Sequence, residues 1–322
     1  MPMIAKPYKM LRSIEMYQAL IRRVSDSNIS KFGLVNDYNN RLTGCLGEES
    51  VMNFHLDPLA NSDFRIYHNL RLLYGNYYFQ MDILIINTYF ALVLEVKNRA
   101  RDWHFDKVMN QTSFDNEGKK ERANNPILQA KLQAYKLKGW LRAHGFQGLP
   151  ILYLFVNANE KASIFITEDN KERWNACNSE FLLERIEQLA HFYKNETLDE
   201  KDLNRINKLL LTKNTPDEPN LFSKYNLTSK DIRPGVHCPE CNALPMSYHA
   251  GKWRCKKCRL ESKTAFEDSI HDYFLLINPT ITNAAARKFL QIDSPKIMHH
   301  LLNSMNLTAT GKYKHTIYQQ TQ

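Results

Sequence analysis

At 322 residues the chain is too long for one ordinary hydrophobic core, and 43% apolar with 24% charged residues excludes disordered, fibrous and membrane-embedded classes. An excess of 43 Lys and Arg over 34 Asp and Glu gives a net charge of +9, which suits a polyanionic partner without identifying one. No apolar run approaches the ~20 residues that span a bilayer, and MPMIAKPYKMLRS lacks the apolar centre of a signal peptide, so the expectation is a cytoplasmic protein with no membrane partner.

Residues 1–41 read as an N-terminal extension with one helix, MLRSIEMYQALIRRVSD, in which Leu11, Ile14, Met16, Leu20 and Ile21 form an imperfect apolar stripe. A second helix is predicted from Gly44 to about Leu56, with Glu48 in its first turn, where an acid complements the helix N-terminus. Two runs rich in β-branched and aromatic residues follow, 77–86 and 89–96, joined through Asn87-Thr88 as a hairpin. Three charged residues interrupt them: Asp82, Glu95 and Lys97. Alternation along a strand puts Glu95 and Lys97 on one face, ~6–7 Å apart, with Val96 pointing the other way. Asp82 can lie beside Glu95 on the neighbouring strand. Two carboxylates on a buried patch repel unless a cation lies between them, and a divalent metal meets that need. The plainer alternative is a Glu95–Lys97 salt bridge at a strand end.

Residues 99–124 read as a long connection carrying Arg101, Lys107, Lys119, Lys120 and Arg122 among Trp103, His104 and Phe114, fit to guide a phosphate backbone or simply to be solvated. Asn125 as N-cap and Pro126 at the first helical position start a helix with Leu128, Leu132, Tyr135 and Trp140 or Leu141 expected on its core face and Gln129 one position round. The apolar run 149–158 suits a strand buried on both faces. Amphipathic helices starting at Ser179 and Asp199 follow, and LTKNTPDEPN breaks the pattern as a linker.

The spacing D-x12-E-x-K across a hairpin resembles the signature of the PD-(D/E)xK nuclease superfamily, and the words QMDILII and LVLEVKN resemble its nuclease-related branch, the NERD domain. Gly47-Glu48 is similar to that branch's G-E helix start, and Asn125-Pro126 with Gln129 to its N-P-x-x-Q helix, in the same order. The resemblance implies an α/β fold with an αβββαβ restriction-endonuclease-like core. It also implies a catalytic Mg²⁺ or Mn²⁺ held by Asp82, Glu95 and the Val96 carbonyl, with Lys97 orienting the attacking water and Glu48 and Gln129 in support. The chain has Arg99-Ala100-Arg101 and Asn87-Thr88-Tyr89 where the family tends to have glycine, so the loops around the charged triad should differ in shape.

A second motif pairs Cys238 and Cys241 with Cys255 and Cys258. Paired CxxC turns at this separation aim four sulfurs at one Zn²⁺, and a closed four-thiolate shell makes the metal structural; disulfides are the alternative in an oxidising compartment. Lys252, Arg254, Lys256 and Lys257 crowd the second turn, either facing nucleic acid or offsetting the charge of a metal–thiolate cluster. Three short helical patterns then end the chain, the last two separated by Gln291-Ile292-Asp293 at helix-turn-helix spacing. Lys296, His299 and His300 would face a groove, and Lys312 and Lys314 would lie on a basic wing.

The expected organisation is an N-terminal extension (1–41), a nuclease-like domain (42–166), a helical extension (167–212), a linker (213–230), a zinc ribbon (231–262) and an all-α winged-helix-like module (263–322). The expected function is Mg²⁺-dependent phosphodiester hydrolysis of nucleic acid, DNA favoured over RNA. The rival is a DNA-binding regulator or scaffold that keeps the fold and hydrolyses nothing; the C-terminal module is read as DNA-binding, with a homodimer or a protein partner as its alternative.

Overall fold

The computed structural model describes residues 4–61, 63–106, 112–116, 119–312 and 315–321. The chain forms two compact units, residues 1–10 with 41–217 and residues 11–40 with 218–322. No helix among the described residues is long and apolar enough to cross a membrane.

In chain order the elements begin with β1 (Ile4–Lys6), α1 (Arg12–Arg23), α2 (Lys31–Ser50) and a π-helical turn, Val51–His55. The strands β2 (Arg65–Tyr74), β3 (Tyr77–Ile86) and β4 (Ala91–Lys97) follow as an antiparallel meander. After β4 come β5 (Trp103–Phe105), β6 (Thr112–Asn116), β7 (Lys119–Ala123), α3 (Pro126–Ala143), β8 (Ile151–Asn157), β9 (Ile164–Ile166), β10 (Ala176–Asn178), α4 (Leu182–Phe192) and α5 (Glu200–Lys213). The main sheet has the order β1-β2-β3-β4-β8-β10, with β8 parallel to β4. α2, the three-strand meander, α3 and β8 therefore make the expected α-βββ-α-β sequence.

Alternation gives this sheet two apolar faces. Tyr67, Leu84 and Val93 pack with Ala134, Leu137 and Trp140 of α3 and Leu203 and Ile206 of α5. Ile66, Ile83, Ile85, Leu92 and Leu94 pack on the other side with Val51, Met52, Leu182 and Ile186. Burying each of these large side chains contributes roughly 1.5–3 kcal/mol, so the central strands are anchored from both sides.

The structure departs from the sequence expectations at three places. The second helix starts at Lys31 and not at Gly44, which moves Glu48 from a first turn to the last turn of α2. The core face of α3 is Ile127, Ala130, Ala134, Leu137 and Leu141, one position round from the expected stripe, while Leu128, Leu132 and Tyr135 are exposed. The stretch 99–124 is not merely a connection: β5, β6 and β7 join β9 in a four-stranded sheet, although Lys107 lies outside the described residues.

Gly47 fixes how α2 meets the sheet. A Cβ added there would lie 2.5 Å from Asn98 Cβ, and neither that atom nor the helix backbone can swing aside. Gly47→Ala is expected to destabilise the first unit by about 1–3 kcal/mol through this overpacking. Denaturant unfolding checks it; an unchanged midpoint would contradict the close approach.

In the second unit, α1 and the first turns of α2 share a core with the C-terminal residues, including Tyr17, Leu20, Leu34, Val236, Trp253, Phe266 and Phe274. Asp272 is fully buried and accepts from Arg22 Nη2 at 2.6 Å and Arg23 Nε at 2.8 Å, while Arg23 Nη1 donates to the carbonyls of Arg233 and Gly235. These acceptors offset much of the cost of the interior guanidinium, leaving Arg23 Nη2 without a hydrogen-bond partner among the described residues. α6 (Leu221–Lys224) precedes a small antiparallel sheet of β11 (Ser247–His249), β12 (Lys252–Arg254) and β13 (Glu261–Ser262). Then come α7 (Ala265–Leu276), β14 (Thr280–Thr282), α8 (Asn283–Leu290), α9 (Pro295–Ser304), β15 (Leu307–Thr310) and β16 (Ile317–Gln320). The Ser294 side chain caps α9 by accepting from Ile297 N–H at 3.3 Å. β15 and β16 form the wing, and β14 pairs on the far side of β16, so the module contains a three-stranded sheet besides its helices.

Candidate active site and metal centre

The geometry of the charged triad starts from where β3 and β4 part. Their Cα pairing runs from Ile86–Ala91 to Ile83–Leu94 and stops there. At the next step the Val96 N–H is given to Asp82 Oδ2 at 2.9 Å instead of to a strand carbonyl. Asp82 thus closes the opened end of the hairpin with its carboxylate. Glu95 is buried, hydrogen-bonded with Asp82 and in contact with the Lys97 ammonium, as expected for positions two apart on one face.

Electrostatics make this cluster unusual. Burial first, then Asp82, pushes the Glu95 carboxyl up to about 8; burial first, then Glu48, pushes Asp82 up to about 7. Burial and the Glu95 charge likewise push Glu48 up to about 7. Burial opposes the Lys97 charge, but Glu95 and Asp82 outweigh it and hold the ammonium above its ordinary value. Three carboxyls that all resist ionisation beside one lysine are better matched to a site that receives a cation than to a stabilising ion pair. Hard oxygen donors from two strands are the ligand type that Mg²⁺ or Mn²⁺ takes.

α2 carries Glu48 into the same cluster. Its Oε2 lies 2.7 Å from His68 Nε2 on β2. Burial first, then Lys6, lowers the His68 imidazole to about 4, so at neutral pH the ring is uncharged and the contact is a hydrogen bond. Lys6 in turn donates to the carbonyls of His68 and Asn69, and Tyr8 packs its ring 4.8 Å from the imidazole. Asn98 Nδ2 donates to Thr43 O at 3.0 Å and its Oδ1 accepts from Asn159 at 2.8 Å, linking α2 to the ends of β4 and β8. His68, Lys6 and Asn98 were not singled out from sequence; only Asn98, beside the E-x-K word, had a local signal. Gln129 is half-buried in α3, and among the described residues no hydrogen bond joins it to Asp82, Glu95 or Glu48.

The four cysteines come together in the second unit. Their sulfurs all lie within 4.8 Å of one another, with Cys238 Sγ to Cys258 Sγ at 3.5 Å and Cys241 Sγ to Cys255 Sγ at 3.6 Å. A tetrahedron with ~2.3 Å metal–sulfur bonds has edges of about 3.8 Å, so this donor set fits one metal ion. Each CxxC turn closes through a left-handed residue four positions after its first cysteine, Asn242 and Arg259. The backbone N–H groups of Cys258 and Lys257 point at Cys255 Sγ and bring that thiol down to about 6, favouring the thiolate a metal needs.

Of the basic residues, Lys252 and Arg254 point outward from β12 on the side opposite buried Trp253, and Lys256 and Lys257 are exposed on the cysteine turn. Lys252 pairs with Glu261 at 3.1 Å. Lys296, His299 and His300 are exposed on α9, and Lys312 is exposed on the wing; Lys314 lies outside the described residues.

An α/β sheet with paired strand carboxylates, a companion lysine and a helix-borne glutamate has the layout of a nuclease-like domain. Residues 43–157 match the family model of the nuclease-related domain, NERD. No curated protein and no solved structure matches the chain.

Proposed function

We propose that this protein is a Mg²⁺- or Mn²⁺-dependent nuclease that hydrolyses phosphodiester bonds, of DNA in preference to RNA. The observation that carries the reading is the Asp82–Glu95 carboxyl pair beside Lys97, in a stretch that matches the nuclease-related domain. Asp82 and Glu95 would hold the ion, with the Val96 carbonyl as a further ligand; the Asp82 contact to the Val96 N–H keeps this backbone at the carboxylates. The bound ion supplies Lewis-acid polarisation of the scissile phosphate and lowers the pKa of its water. Lys97, held by Glu95, would orient the attacking water and stabilise the negative charge that develops on phosphate. Glu48 supports the ligands from α2, and Gln129 at the start of α3 serves the substrate side.

The cysteine cluster would hold a structural Zn²⁺, and the exposed Lys252, Arg254, Lys256, Lys257, Lys296, His299, His300 and Lys312 would contact nucleic-acid phosphates. Incubating the full chain with single- and double-stranded DNA and RNA, with Mg²⁺ added or omitted, tests the reading. Metal-dependent products are expected; binding without any product would favour the regulator or scaffold.

Metal binding should be strongly pH-dependent. Asp82 and Glu95 keep their protons to about 7 and 8 in the folded state against 3.8 and 4.5 as free side chains, so between about pH 4 and 8 the native state binds more protons than the unfolded one. Stability without divalent metal therefore falls as pH rises through that window. A cation displaces those protons, so Mg²⁺ affinity should rise up to about tenfold per pH unit for each proton released. Calorimetric titration across the window checks the slope; a flat affinity would contradict the ligand assignment.

A further inference from the structure

The four-stranded sheet of β5, β6, β7 and β9 has an inner and an outer face. Trp103, Phe105 and Phe114 point inward and pack with Phe155 of β8 and Ile127 of α3. Phe155 is the Cα partner of Glu95, so this small sheet rests on the strand position next to the carboxyl pair. The strand register places one outward residue from each strand in a single cross-strand row: Phe165, His104, Ser113 and Arg122.

That row has a definite chemistry. Phe165 is 51% exposed on this face. The His104 imidazole stacks on it with centroids 4.7 Å apart and planes 6° from parallel. Arg122 is exposed at the other end of the row, and the row contains no acidic side chain. Flat aromatic faces beside a cation bind unpaired nucleobases by stacking while the cation meets the backbone. A duplex offers no free base faces to such a surface. Six residues lie between Lys97 and His104, so His104 lies within about 25 Å of the lysine, a span of a few nucleotides.

We infer that the outer face of the β5–β9 sheet is a stacking platform for unpaired nucleotides, which makes the substrate of the neighbouring site a single-stranded segment, flap or frayed end. The inference rests on the nuclease reading for its catalytic consequence, but the binding surface is tested without catalysis. In Mg²⁺-free buffer the full chain is titrated with dT and rU oligomers carrying 2-aminopurine, and with a blunt duplex. Phe165→Ala and the double variant with His104→Ala should weaken single-strand binding about 5- to 150-fold and remove the 2-aminopurine quench, with duplex binding unchanged within about twofold and Phe165→Trp restoring it. The two oligomers separate a DNA from an RNA platform. Equal loss on the duplex, unchanged single-strand affinity, or a parent that binds no single strand would overturn the inference. A parent that stacks single strands on Phe165 yet cleaves nothing with Mg²⁺ leaves the platform standing and rejects the nuclease reading; Mg²⁺-dependent cleavage with unaltered binding by Phe165→Ala does the reverse.

Discussion

Asp82→Ala and Glu95→Ala are each expected to lower metal-dependent cleavage on the order of 10³-fold or more, because each removes a ligand that positions the ion on the reacting phosphate. Nucleic-acid affinity should stay within a small factor, since it rests on phosphate contacts elsewhere in the chain. Lys97→Ala should lose cleavage to a similar degree and keep metal affinity, because the lysine faces the Glu95 carboxylate and supplies no ligand atom. The alanine variants also carry a thermodynamic signature. With Asp82 gone, Glu95 loses a neighbour that raises it and ionises more readily, and with either carboxyl gone one fewer raised group titrates, so the decline of metal-free stability between about pH 4 and 8 should flatten. Single-turnover cleavage and unfolding midpoints across pH measure both effects; cleavage by Asp82→Ala at the parental rate would show the site is wrongly placed.

The second large effect concerns the cysteine cluster. Cys238 is fully buried in the same core as Val236, Trp253 and Phe266, so its metal would be part of the hydrophobic structure and not an appendage. Cys238→Ser should release the ion, from about one zinc per molecule to none, and abolish cooperative unfolding of the second unit, since structural zinc supplies roughly 10–16 kcal/mol of apparent binding energy. The first unit has separate cores and should keep its own transition. Metal analysis and calorimetry on freshly purified, reduced protein decide it; a parent with no bound metal would remove the zinc assignment.

Much of this architecture was legible in the sequence because its signals are local. The β3–β4 hairpin announces itself by β-branched runs around Asn87-Thr88, and the sulfur cluster by two CxxC turns. What stayed hidden depended on packing partners far along the chain. α2 starts early although KFGLVNDYNNRLTG carries two glycines and three asparagines, poor helix formers that tertiary context overrides. α3 offered two apolar stripes, and the one that is buried uses Ala130 and Ala134 because a helix approaching a sheet closely needs small residues; the bulkier Leu128, Leu132 and Tyr135 misled the reading. β6 and β7 are rich in Asp, Asn, Lys and Glu, which lowers strand propensity and made them look like loop. Within the site, the triad spacing was readable, but His68 and Lys6 reach Glu48 only through sheet register, from positions 20 and 42 residues away.

Whether Asp82, Glu95 and Lys97 form a metal-dependent phosphodiesterase centre is decided by one paired measurement. An end-labelled mixed-sequence oligonucleotide is incubated with the parent and with Asp82→Asn, which keeps the shape and removes the charge, while Mg²⁺ is titrated from none to saturation. Cleavage products should appear with Mg²⁺ in the parent, saturate, and be absent with Asp82→Asn at every concentration. Identical products from both proteins, or none from the parent with Mg²⁺ or Mn²⁺, would contradict it.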